Sequence, residues 1–255
     1  MSDFNRNPAV RGFGADRAVA IDAGLRAYMI RVYNYMAGGV AVTGVVAWLA
    51  FQAAGGDDLH FVRGTLAGAT PFGQALFSLP AILVLFFGTL GMVYYIGARI
   101  DRMQVGTALT MFLVYSGLFG LLLSDVFVMY TGVSITRVFF VTAASFGALS
   151  LYGYTTQRSL SAIGSFLMMG VFGLIIAMVV NAFLGSNGLD FVISALGVLI
   201  FAGLTAYHTQ GIKEMYDPQE DGTMAGRKAV MGALQLYLDF INLFMFLLRF
   251  LGDRR

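Results

Sequence analysis

The sequence predicts an all-α membrane protein of seven transmembrane helices, and three observations carry that count. The 255 residues are 58% hydrophobic and only 12% charged, against about half apolar and a quarter charged in a soluble domain. Mean hydropathy is +0.76. The charges fall in short clusters, leaving seven intervals that can supply the roughly 20 apolar residues a spanning helix needs. Hydrocarbon offers no partner to backbone N–H and C=O groups, so each interval is helical. The 32 glycines against 4 prolines suit membrane helices, whose backbones approach through small residues.

The first span follows Arg31 and runs charge-free to Asp57, and the second lies between Arg63 and Arg99 with its apolar core from Leu79 to Ile96. Arg102 and Asp125 enclose the third. A short connection from Asp125 to Arg137 leads to the fourth span, which ends at Arg158, and the fifth runs from there to Leu184. Asp190 to Lys213 is the sixth. The seventh, Lys228 to Arg249, carries Asp239 near its middle. Residues 1–27 read as a charged cytoplasmic arm without an early apolar core, so no cleaved signal peptide is expected. Residues 28–252 form one membrane domain, because the loops at 55–78 and 211–228 lack the apolar periodicity of a separate folded unit.

Orientation follows the basic residues. Arg6, Arg11, Arg17, Arg26, Arg31, Arg99, Arg102, Arg158, Lys213, Arg227 and Lys228 fall on the side of the N-terminus, whereas Arg63, Arg137, Arg249, Arg254 and Arg255 fall opposite. The N-terminus is therefore expected in the cytoplasm and the C-terminus outside.

Inventory excludes several functions. Zero Cys removes disulfides, thiolate metal sites and cysteine nucleophiles, and a net charge of +2 gives no nucleic-acid footprint. The two histidines, His60 and His208, are too few for a histidine-rich zinc site. Ser165 with His208 is the one nucleophile–base pairing left open, and no G-x-S-x-G surrounds the serine. Walker and dinucleotide signatures are missing in the right context. Neither an enzyme nor a cofactor is expected.

In the seventh span Gln235, Asp239, Asn242 and Arg249 stand at offsets 0, +4, +7 and +14, which at about 100° per residue places them on one stripe. The seam should face a cavity or a partner helix. A central carboxylate costs about 2.5–3.5 kcal/mol on insertion scales, so Asp239 is either an ion or proton site and candidate metal ligand, or a packing lock. In the sixth span Ser194, Thr205 and His208 share a face at offsets 0, +11 and +14, and His208 is the candidate partner. An unperturbed imidazole changes charge between about pH 5 and 8. Asp125 could be an entrance carboxylate or merely a solvated one, and Asn34 and Asn181 read as interhelical hydrogen-bonding residues. The pattern F-x-x-L-[ST]-x-Y occurs at Phe146–Tyr152 and again 55 positions later at Phe201–Tyr207, each copy followed by Thr-Gln. Duplication and chance similarity both account for it.

The run Leu236-Tyr237-Leu238-Asp239-Phe240-Ile241-Asn242-Leu243-Phe244, continued by Leu247-Leu248-Arg249-Phe250-Leu251-Gly252, resembles the closing signature of the Bax inhibitor-1 family. Val32-Tyr33-Asn34-Tyr35-Met36, Tyr130-Thr131-Gly132 and Leu149-Ser150-Leu151-Tyr152-Gly153-Tyr154-Thr155-Thr156 extend the likeness over most of residues 26–252. The resemblance is to the bacterial inner-membrane members. It implies the central last helix, the other six around it, and a pH-sensitive calcium leak in which an aspartate of the sixth helix and one of the seventh share protons. The second of these matches Asp239; the first falls at Tyr207-His208, where the family pattern reads Tyr-Asp. Calcium prefers several oxygen ligands, so the histidine puts calcium selectivity in question. The resemblance further implies an arginine latch near the end of the second helix, where Arg99 and Arg102 both stand, and Arg99 is the one assigned.

Two functions follow. One is a cation leak for calcium or protons in the bacterial cytoplasmic membrane, with His208 and Asp239 as gate, Arg99 as latch and Gln235, Asn242 and Thr205 as a supporting seam. The other is an interaction protein, without transport, that modulates a membrane AAA protease or another quality-control complex through the charged arm.

Overall fold

A computed structural model describes residues 8–62 and 65–255, with side chains placed from residue 23 onward except at 60–65. Helices α1 (Pro8–Ala54), α3 (Leu79–Arg99), α4 (Val105–Leu122), α6 (Gly132–Thr155), α7 (Ser161–Leu184), α8 (Asn187–Glu214) and α9 (Gly222–Leu251) carry the seven spans. The odd number places the start of α1 and the C-terminus on opposite membrane faces, called here the N-terminal and C-terminal faces.

The loop between α1 and α3 is more ordered than its sequence suggests. It holds a hairpin of β1 (His60–Val62) and β2 (Thr65–Ala67), paired antiparallel with His60 opposite Ala67, and a single-turn-and-a-half helix α2 (Pro71–Leu76). The short connection after α4 contains α5 (Asp125–Met129). Residues 1–7 of the arm lie outside the described residues, as does Arg63. From Pro8 the backbone is already helical and passes residue 27 without a break, so the expected boundary between arm and membrane domain falls inside one helix.

Local chemistry fixes the helix ends. Thr70, Ser78, Thr131, Ser186 and Asp221 each accept a backbone N–H of the first turn of the helix that follows, satisfying donors that have no intrahelical partner. Between α7 and α8 the chain reverses in two residues because Gly185 takes a left-handed φ of 63°, open to glycine at little cost.

The last helix is the most deeply buried span. It packs on α8, α1, α6 and α4, while α7 is seated on α8 and α3 on α4. The centre is thus α9, but its direct neighbours are chiefly four rather than six. Close approach is permitted where glycine faces backbone: a Cβ at Gly153 of α6 would sit 2.3 Å from the Ala206 carbonyl oxygen of α8. α6 and α8 are the two helices carrying the sequence repeat, and they meet at it.

Candidate functional site

Helices α8 and α9 meet at His208 and Asp239. His208 Nδ1 lies 2.7 Å from Asp239 Oδ2, and the two side chains are 10% and 4% exposed. α8 and α9 run antiparallel, as three contacts along them record: Gly197 against Phe246, His208 against Asp239, and Ile212 against Gly232. The pair therefore sits on the N-terminal-face half of that interface. His208 is further positioned by Tyr207, whose ring is 5.3 Å from the imidazole and packs on Gly164 of α7.

The bond leaves the pair with two charge states. With Nδ1–H donating to a carboxylate and Nε2 bare, the pair carries −1; one more proton, whichever of the two groups binds it, makes it neutral without breaking the contact. Among the described residues no group of three or more His, Asp or Glu comes together to hold a metal ion, so the expected ligand role of Asp239 has only His208 beside it.

The rest of the expected seam is differently placed. Gln235 and Asn242 are half-buried, and Asn242 Nδ2 donates back to the Leu238 carbonyl at 2.8 Å. Arg249 stands at the C-terminal face, where the charge count expects it, 4.0 Å from Asp190. Thr205 and Ser194 return their hydroxyls to Phe201 and Asp190 carbonyls of their own helix, each at 2.8 Å. This is the usual way a membrane helix satisfies such a group, and it takes both out of any polar network across the interface. Arg99, expected as a latch, is exposed in the last turn of α3; among the described residues no hydrogen bond joins it to His208 or Asp239. Asp125 opens α5 and is exposed. Ser165, the residue left open as a nucleophile, is exposed on α7 and donates to the Ser161 carbonyl at 3.2 Å.

Several residues around the site were not singled out from sequence. Tyr237 shares a 2.7 Å hydrogen bond with Thr43 Oγ1 of α1, and Thr43 donates to the Ser116 carbonyl of α4 at 2.9 Å. Phe112, Tyr115 and Phe119 surround the Tyr237 ring at centroid distances of 5.5, 5.8 and 6.4 Å. A tyrosine inside a span needs a partner for its hydroxyl, and that was the available signal. Gln210 accepts the Leu160 N–H at 2.8 Å and donates to the Arg158 carbonyl at 2.9 Å, so α8 ties down the start of α7. Three cations counted only for orientation also bond main-chain carbonyls: Lys213 that of Tyr154, Lys228 that of Met215, and Arg227 that of Met103. Cations there complement the unpaired carbonyls at helix ends.

These features define a multi-pass α-helical membrane protein whose central helix is joined to a neighbour by a buried His–Asp pair. The chain belongs to the Bax inhibitor-1 family: the family model described as Inhibitor of apoptosis-promoting Bax1 matches residues 25–255. An uncharacterized protein of Caulobacter vibrioides is 45% identical over 264 aligned positions, covering 100% of both chains. The uncharacterized protein RP147 of Rickettsia prowazekii is 43% identical over 234 residues, 92% of each chain. The inner membrane protein YbhL of Escherichia coli is 40% identical over 243 residues, 94% of this chain and 97% of the other.

Proposed function

We propose that the chain is a pH-sensitive cation leak pathway of the bacterial cytoplasmic membrane, with its N-terminal face in the cytoplasm and the His208–Asp239 pair as gate. The observation that carries this reading is the 2.7 Å contact between the two side chains on different helices, both almost fully buried. A charge of −1 in a low-dielectric interior is costly unless a cation or water answers it. Neutral, the pair needs neither, and α8 and α9 stay closed on each other. Loss of one proton biases that interface toward a state that admits a cation, the kind of two-state element a switch requires. Flux therefore rises with pH. A latch role for Arg99 requires α3 to turn its exposed last turn inward, a movement outside the present conformation.

The test is calcium and proton flux into proteoliposomes between about pH 6 and 8, the range in which an imidazole changes charge. The native chain should leak more at the upper end, and Asp239→Asn should flatten the profile. An Asp239→Asn profile that follows the native one removes the pair from the mechanism.

A further inference from the structure

A cavity of about 620 Å³ opens between α1, α6 and α9 on the C-terminal-face half of the molecule, and neither His208 nor Asp239 lines it. Along α1 its wall extends from Val40 to Gln52. Twelve residues at about 1.5 Å per residue make roughly 18 Å, close to one leaflet's share of a hydrocarbon core about 30 Å thick. The floor is Phe240, Ile241 and Phe244 of α9. Trp48 and Phe140 stand on the two flanks and are 49% and 66% exposed, so the side between α1 and α6 is open to the bilayer.

Polarity changes along this groove in one direction. The wall is apolar near the middle of the membrane, apart from the Thr43 hydroxyl, which is already bonded to Tyr237 and Ser116. At the C-terminal face it ends in Gln52, Asp57 and Arg255. Arg255 donates to Asp57 at 2.9 Å and its guanidinium lies 5.7 Å from the Phe51 ring centre. Its side chain remains 32% exposed. A guanidinium has five N–H donors, so one carboxylate oxygen leaves several for a phosphate, the anion its planar fork matches.

We infer that the groove holds one acyl chain of a phospholipid from the leaflet at the C-terminal face, with the lipid phosphate on Arg255. Length, lateral opening and the single polar end match a lipid in its ordinary orientation, and a small polar solute would find only one end hospitable. The bound chain lies against Phe240 and Ile241, in the same helical turn as Asp239. This inference does not depend on the leak reading, since neither His208 nor Asp239 lines the groove.

Two glycines of the lining make the test clean. Gly44 and Gly132 both have nothing within 4 Å of where a Cβ would stand, so Gly44→Phe and Gly132→Leu fill the groove at two separate points without meeting a neighbour at the Cβ. The full chain and each variant, extracted in detergent, are examined for retained lipid by native mass spectrometry. In parallel Trp48, the single tryptophan, is followed in phosphatidylcholine vesicles containing a minor fraction of phosphatidylglycerol brominated on its acyl chains. The native chain should retain a phospholipid and show Trp48 quenching above the bulk proportion of brominated lipid. Gly44→Phe and Gly132→Leu should lose the retained lipid, Gly44→Phe should return quenching to the bulk level, and Arg255→Gln should weaken retention. Retention unchanged in both filled variants, a native chain without lipid, or retention of free fatty acid alone overturns the proposal.

Discussion

Tyr237 and Asp239 pin the central helix on nearly opposite faces within one turn: Tyr237 bonds Thr43 of α1 and Asp239 bonds His208 of α8, each at 2.7 Å. Two residues correspond to about 200° around a helix, so α9 is held between two neighbours at the depth of the candidate gate.

Removing only the phenolic hydroxyl tests how much of this hold is polar. Tyr237→Phe should cost about 0.5–1 kcal/mol, the net worth of one such bond, because the ring keeps its contacts with Phe112 and Tyr115. Tyr237→Ala should cost about 3–5 kcal/mol through the cavity left behind. Equilibrium unfolding in mixed detergent micelles reads both; equal losses would mean that the hydrogen bond, and not the packing, carries the position.

His208→Asp places two carboxyl groups where one imidazole and one carboxyl now meet. Oxygen ligands and a coupled double charge favour a divalent cation, so calcium flux in proteoliposomes should exceed that of the native chain at the upper end of the pH range. Flux equal to native in this variant, with the protein folded, argues that residue 208 does not set selectivity.

Gly153→Val drives a side chain into the Ala206 carbonyl of α8. Overpacking of this kind costs about 1–3 kcal/mol. Gly147→Ala on the same helix, with nothing within 4 Å of its Cβ position, is the control and should be neutral or slightly stabilising. A thermal melt in detergent that fails to separate the two would contradict the close α6–α8 approach.

Gln210→Leu leaves the buried Leu160 N–H and the Arg158 carbonyl without the side chain that now satisfies them. Unpaired buried groups cost about 1–3 kcal/mol, and hydrogen exchange should rise selectively at the first turn of α7. Gln157, in the loop between α6 and α7, is exposed; Gln157→Leu should change neither quantity.

The two glutamines show where sequence reading stops. Each follows a copy of the F-x-x-L-[ST]-x-Y pattern, but Gln210 stands three residues past its tyrosine, inside α8, and Gln157 five residues past its own, in the loop after α6; only Gln210 bonds the backbone at the start of α7. Asp239 and His208 were legible as polar groups on apolar helices, each requiring a partner, and their meeting followed from faces and from the family likeness. Arg249 shares the stripe by angle, but ten residues beyond Asp239 at about 1.5 Å each place it at the membrane surface, the end of the span to which the charge count also assigns it. Thr205 and Asn242 faced inward as the periodicity required, but their side chains found acceptors one turn back on their own helices.

By itself the sequence determined the membrane class, the seven helices and the family, because each depends on local composition and on motifs contiguous in the chain. Tertiary structure decided which polar groups pair across helices, that the central helix touches chiefly four others, and that a lipid-sized groove lies between α1 and α6. Those outcomes depend on the rotation and depth of whole helices relative to one another. Apolar side chains constrain these weakly in a bilayer, where lipid is as good a partner as leucine. Small-residue contacts such as Gly153 on Ala206 and a few buried hydrogen bonds fix them instead.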